Sequence, residues 1–443
     1  MHRKVFVFIA AFLFAAVLIN IPPQPALAAV PEVRNAFKTT YGHESTVLDK
    51  SFYADASAYD NPSVNEQVMK IGLDFGSEAV GWLSLENVSG GGFVLGYYDE
   101  NRVFHAQRQT KAHFIYVNIT EKEGDMTPEG RPEILYSFQI VNGLDSAVLF
   151  SFDETVTRIA LISSDGSQIR YKDDSFHGGF ECTLSEGLIS VVNYVGLEDY
   201  VKGVIPYEMS SYWPFEALRA QAVCARTYAI YNVDAYADKG FDLTDDTRSQ
   251  VYRGTVDSDE VTDEAVDSTA GQIVRYRGEP CEVYYFSSDG GATEDGANVF
   301  SADRPYLAGK TDPFEKAVDY TLSYWEFAKS GEEIADILRN AGHSIGAVTE
   351  IRPHKSHSGN VVALSFCDDE SSVTVEGRRC YTMLGLHSCN FDVLENEGSF
   401  SFIGSGWGHN CGMSQWGAYA MADNYGYNYD DIIRFYFTGA YVA

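Results

Sequence analysis

Positive charge is scarce in this chain. Lys and Arg number 32 against 63 Asp and Glu, a formal net charge of −31. Nucleic-acid binding depends on clustered basic side chains, so no nucleic-acid partner is expected. Tight electrostatic binding to other anionic polymers is disfavoured for the same reason, and the acidity itself serves solubility. A Cys-x-x-Cys pair is also missing. The seven cysteines, at 182, 224, 281, 367, 380, 389 and 411, are irregularly spaced, which argues against a zinc ribbon. Their odd number leaves at least one thiol free or paired between chains. There is no Gly-x-Ser-x-Gly elbow, so a serine hydrolase of that type is unsupported. Internal repeats are absent, and beyond Ile21 no apolar run is long enough to span a membrane.

The N-terminus has what the rest lacks. His2, Arg3 and Lys4 precede an apolar run from Val5 to Ile21, then Pro22, Pro23, Pro25 and Ala26-Leu27-Ala28. A basic start, an apolar stretch and an Ala-x-Ala site are the parts of a secretory signal peptide. The run falls just short of the ~18 residues of a spanning helix. Residues 1–28 are therefore expected to be a cleaved signal peptide, with an uncleaved membrane anchor as the alternative. The protein is expected to be secreted or at the cell surface, where disulfides are permitted.

Residues 29–65 are polar and mixed, a loose leader. The next region, 66–180, is β-rich. Strands are predicted near Gln67–Gly76, Trp82–Leu85, Phe93–Tyr97, His113–Ile119, Tyr136–Val141, Ala147–Phe152 and Arg158–Ser163, with charged Glu121–Arg131 as a loop. Leu188–Tyr194 reads as a strand leading into a different pattern. Leu197–Ile205 has helical spacing and Pro206 is expected to end it. Pro214 suits the first position of a longer helix reaching about Tyr236. On it Phe215, Leu218, Ala222, Ala225 and Ala229 share one face, with Arg226 beside them. A hairpin is predicted from Ile273–Tyr276 and Glu282–Phe286, followed by the tight loop Ser287-Ser288-Asp289-Gly290-Gly291. Phe400–Ile403 reads as a strand entering Gly404-Ser405-Gly406-Trp407-Gly408-His409, and helical spacing resumes over Met413–Met421.

Three segments carry candidate chemistry. The first runs Gly196-Leu197-Glu198-Asp199-Tyr200 to Pro206-Tyr207-Glu208-Met209 and on through Pro214 to Ala229. The second is Ser287 to Glu294, and the third Gly406-Trp407-Gly408-His409 to Gln415-Trp416-Gly417-Ala418. In order and spacing they closely resemble the SpoIID/LytB family, over about residues 190–443. The stretches Leu384–Ser388 and Tyr429–Tyr436 fit as well. The resemblance implies an α+β fold: a two-lobed catalytic region, 190–443, around a central cleft, preceded by the β-rich region.

It also implies an activity: lytic transglycosylation of peptidoglycan, on glycan strands stripped of stem peptides, with Glu208 of the Glu-Met pair as the catalytic group. Such a reaction needs one carboxyl group, because the sugar's own 6-hydroxyl replaces the second carboxylate of an ordinary glycosidase. The acid must hold its proton near neutral pH, hence in apolar surroundings; Tyr207, Met209, Tyr212 and Trp213 flank Glu208. Substrate contacts are expected from Arg226, Ser287, Ser288, Asp289, His409, Gln415 and Trp416. Arg226 has the alternative of pairing with a structural acid, close to Glu208 but not bonded to it. Phe286 and Asp289 depart from the family's pattern, which has His and Ser or Cys at those places. The resemblance implies zinc only for those members of the family that carry Cys and His after the long helix. Here residues 239–252 contain neither, so no metal and no cofactor is expected, and Asp242, Asp245 and Asp246 read as a solvated acidic loop. Two rivals remain: a non-catalytic, glycan-binding enhancer of a wall amidase, and a hydrolase pairing Glu208 with a second carboxylate such as Asp289.

Overall fold

The computed structural model describes residues 67–128, 130–317 and 324–443. The predicted signal peptide and the whole polar leader lie outside the described residues. No helix among the described residues is long and apolar enough to cross a membrane.

The fold is α+β. Seven strands form one sheet in the order Leu243–Thr244, Val68–Asp74, Leu188–Gly196, Gly179–Ser185, Arg158–Ser163, Phe93–Tyr98, Phe104–Thr110. Six more form a second sheet around Trp82–Asn87, Phe114–Met126 and Pro132–Asn142. Alternation explains the burial: Leu83 and Leu85 point inward while Trp82 is exposed, as the period of a pleated strand requires. Side chains from both sheets enter one hydrophobic core. The charged stretch expected as a loop is strand as far as Met126. Glu121, Lys122 and Glu123 pair with Tyr136, Leu135 and Ile134. Backbone pairing along a hairpin does not need an apolar face once the strands extend past the core.

Regions 66–180 and 190–443, separated in the sequence, share the first sheet. Val68–Gly72 pairs antiparallel with Gly196–Val192, and the other edge of Leu188–Gly196 pairs with Gly179–Ser185. The core correspondingly runs from Met69 to Ala440.

From this sheet the chain passes at Gly196 into α1, Leu197–Glu208. Pro206 lies inside α1 rather than ending it: the ring removes one N–H near the C-terminus, and Met209 N still reaches the Ile205 carbonyl at 3.0 Å. Helix α2, Phe215–Tyr231, buries Leu218, Ala222, Ala225 and Ala229 as the periodicity predicts, and stops short of Tyr236. Helix α3 spans Glu260–Asp267 and α4 spans Gly331–Asn340. The last two are α5, Gln415–Tyr425, and α6, Tyr429–Tyr436.

A second hydrophobic core, from Trp325 to Phe402, is built by α4 and six strands between Tyr324 and Ser405. The predicted hairpin is only partly formed. Val274–Tyr276 pairs with Glu279–Pro280, whereas Tyr285–Phe286 pairs in parallel with Met413–Ser414. All seven cysteines are buried thiols.

Candidate functional site

Glu208 is the last residue of α1 and is partly buried. The helix ends there because Met209 turns extended, and the turn Ser210–Trp213 leads to Pro214 and α2. A helix C-terminus carries partial negative charge, which disfavours a carboxylate. Burial acts in the same direction and raises the Glu208 carboxyl from 4.5 to about 7, while hydrogen bonds from Gln415 and Tyr285 pull it back.

Those two donors come from the other two segments. The parallel pairing of Tyr285–Phe286 with Met413–Ser414 brings Tyr285 beside the start of α5. Tyr285 Oη donates to Glu208 Oε1 at 3.3 Å, and Gln415 Nε2 donates to Oε2 at 3.2 Å. Each donor is itself held. Tyr285 Oη accepts from Gln250 Nε2 at 2.8 Å, and Gln250 Oε1 accepts from Tyr200 Oη at 3.1 Å. Gln415 Nε2 also reaches Gln221 Oε1 at 3.5 Å. The three sequence segments thus converge on one carboxyl group, and no charged group hydrogen-bonds it among the described residues.

Aromatic rings lie next along the chain on both sides. Trp213 packs on Trp416 with centroids 4.7 Å apart, and Tyr419 lies 5.3 Å from each. Tyr212, 96 % exposed, precedes them. Trp416 N donates to the Ser287 carbonyl at 3.0 Å, so Ser287 and Trp416 adjoin.

The remaining predicted contacts are placed differently. Arg226 is fully buried and bonds Glu198 at 2.5–3.1 Å and the Gln272 and Val266 carbonyls at 3.2 Å. This is the structural acid pairing, and it ties α1 and α2 to the end of α3. Ser288 and Asp289 are fully buried as well. They lie beside Glu315, which accepts from the Ser288 hydroxyl and from Asp289 N at 2.9 Å, so neither side chain is exposed to a substrate at the surface. His409 is packed among Phe286, Phe300 and Tyr284. Its Nδ1 accepts from Cys411 N at 3.2 Å, and burial, then Arg378, pushes its pKa down to about 3; the ring is neutral and acts as packing. Gly408 (φ 114°) permits this, since a Cβ there would meet Phe286 at 2.8 Å. The acidic loop after α2 is not all solvated: Asp242 is buried against Arg102, and Asp246 pairs with Arg248.

Sequence reasoning missed Tyr285, Gln221, Gln250 and Tyr200. Tyr285 stood just ahead of the second segment and Gln221 inside the first, but polar residues in such strings carry no mark of which way they point. Gln250 lies in irregular chain and gave no signal.

Comparison with known proteins bears on this constellation. The sequence model of the family described as Stage II sporulation protein matches residues 185–276, which include Glu208, Gln221 and Gln250. An uncharacterized protein of Brachyspira hyodysenteriae is 36% identical over 256 residues, 56% of this chain and 67% of that protein. Stage II sporulation protein D of Bacillus subtilis is 31% identical over 270 residues, 57% of this chain and 76% of that one. The amidase enhancer of the same species is 30% identical over 294 residues, 54% of this chain and 39% of the relative. A family profile lying on α1 and α2, and relatives matched over two thirds or more of their length, place this chain in the SpoIID family of stage II sporulation proteins.

Proposed function

We propose that this chain is a peptidoglycan lytic transglycosylase. It cleaves MurNAc–GlcNAc bonds of peptide-stripped glycan strands and leaves 1,6-anhydroMurNAc ends, with Glu208 as both acid and base. The observation that carries this is a single carboxyl group, held between Tyr285 and Gln415 and protonated to about pH 7. In the first half of the reaction Glu208 gives its proton to the glycosidic oxygen as the bond to C1 breaks. The sugar's 6-hydroxyl then bonds C1, and its proton returns to Glu208. No water is consumed and no second carboxylate is needed. Burial keeps the acid protonated and neutral; the Tyr285 and Gln415 donors stabilise the carboxylate that forms in between. Trp416, Trp213 and Tyr212 offer apolar ring faces to sugar rings. Export through the N-terminal segment would deliver the protein to the wall.

The similarity to an amidase enhancer favours one alternative, a glycan-binding protein that stimulates a wall amidase without cutting. Mass spectrometry of glycan products separates the two. The chain and its Glu208→Gln variant are incubated with intact and with amidase-treated peptidoglycan. The expected result is anhydro ends from treated strands, absent with the variant. Glycan binding with no new ends on either substrate would refute the enzyme and leave the enhancer. Reducing ends in place of anhydro ends would mean hydrolysis.

A further inference from the structure

Three buried carboxylates meet behind the Ser287–Gly291 loop. Asp289, Asp312 and Glu315 are almost wholly inaccessible, and one ligating oxygen from each lies within 4.8 Å of the others. None of the three takes part in an ion pair among the described residues. Glu315 is well satisfied. Its Oε1 accepts from the Ser288 hydroxyl and from Gly290 N at 3.2 Å; its Oε2 accepts from Asp289 N at 2.9 Å and the Ser414 hydroxyl at 2.7 Å. Asp312 Oδ1 accepts from Phe314 N at 2.7 Å and Glu315 N at 3.3 Å, and Oδ2 from Tyr436 Oη at 2.5 Å. Asp289 differs. Its Oδ1 accepts from Gly291 N at 2.6 Å, but Oδ2 is buried with no hydrogen-bond partner, and its carboxyl lies against that of Asp312.

A buried, unpaired carboxylate oxygen beside two further carboxylates is costly unless positive charge compensates it. Every donor atom on offer is oxygen, so the complement is a hard cation. Oxygens on opposite sides of one Ca²⁺ stand up to about 5 Å apart, which accommodates this cluster. Mg²⁺ keeps several of its waters, and three carboxylates with almost no access to solvent do not suit it.

We propose that Asp289, Asp312 and Glu315 bind one Ca²⁺ ion as a structural site. Its consequence lies in the chain neighbours. Asp289 follows Tyr285 by four residues on the same segment, and Ser414 immediately precedes Gln415. An ion here fastens the two strands that carry the donors to Glu208, whatever reaction Glu208 serves.

The test uses the full chain stripped by chelator, then titrated with CaCl₂ or, separately, MgCl₂. Equilibrium dialysis should find one saturable Ca²⁺ site missing from Asp289→Asn, with Mg²⁺ at least about tenfold weaker. Saturating Ca²⁺ should raise the melting temperature by about 3 °C or more. The variant should melt no lower than the stripped parent, because it loses like-charge repulsion. Tb³⁺ in place of Ca²⁺ should luminesce on tyrosine excitation, and Tyr436→Phe should dim it. With 63 acidic residues, weak adventitious binding is the main confounder. Binding that survives unchanged in both Asp289→Asn and Asp312→Asn would therefore refute the site. So would absence of saturable binding at millimolar Ca²⁺ in the parent chain.

Discussion

Replacing Glu208 by Gln should make the protein more stable at pH 8 and no more stable at pH 4.5. The carboxyl holds its proton to about pH 7 in the folded chain, against 4.5 for an unperturbed glutamic acid. The folded state therefore binds more protons than the unfolded state between those values. Stability falls as pH rises through that window and levels off above about 7. At 1.36 kcal/mol per pH unit the whole effect is about 3 kcal/mol. Partial solvent access to Glu208 reduces this to roughly 2 kcal/mol. Glutamine carries no charge at any pH, so the variant escapes the loss. One amide cannot accept from both Tyr285 and Gln415, which costs about 1 kcal/mol at every pH. The net expectation is a variant about 1 kcal/mol less stable at pH 4.5 and about 1 kcal/mol more stable at pH 8. Urea unfolding of both proteins across pH 4.5–8.5 measures this. Asp245, also raised to about 7 by burial and Asp246, titrates equally in both and cancels in the difference. A difference that is flat with pH, or that moves in the parent's favour as pH rises, would refute the account, because Glu208 would then be ionised and well solvated.

Three further outcomes follow from the same geometry. Transglycosylase activity, as kcat/KM on stripped glycan, should drop tenfold per pH unit above about 7, and Tyr285→Phe should carry that limb to higher pH by removing a donor to the carboxylate. Tyr212→Ala should leave stability within about 0.5 kcal/mol, since the ring is almost fully exposed, yet weaken glycan binding several-fold in a pull-down titration. Arg226→Met should cost about 3 kcal/mol in urea unfolding by leaving Glu198 without its partner, while surviving folded protein still binds glycan. A larger loss of glycan affinity than of stability would return Arg226 to the substrate.

Much of the local structure could be read in advance because it obeys short-range rules. The period of α2 placed Leu218, Ala222, Ala225 and Ala229 inside, and the alternation around Trp82–Leu85 marked a half-buried strand. Pro206 misled because a helix tolerates a proline whose missing hydrogen bond falls near its end. Almost all of the second core, Trp325–Phe402, went unread: its short strands become legible only once paired.

Glu208 was marked by a string of neighbours that resembles a family's, and that information is carried along the chain. The partners of Glu208 were not marked in that way. Tyr285 and Gln415 lie 77 and 207 residues away, and a parallel pairing of two residues with two delivers both. The same pairing draws Asp289 toward Glu315 and away from solvent, while packing of α1, α2 and α3 takes Arg226 inward to Glu198. Residue type and spacing state which chemistry a side chain is able to do. Whether it faces water, a ligand or another carboxylate depends on contacts between distant segments, and those exist only when the chain has folded.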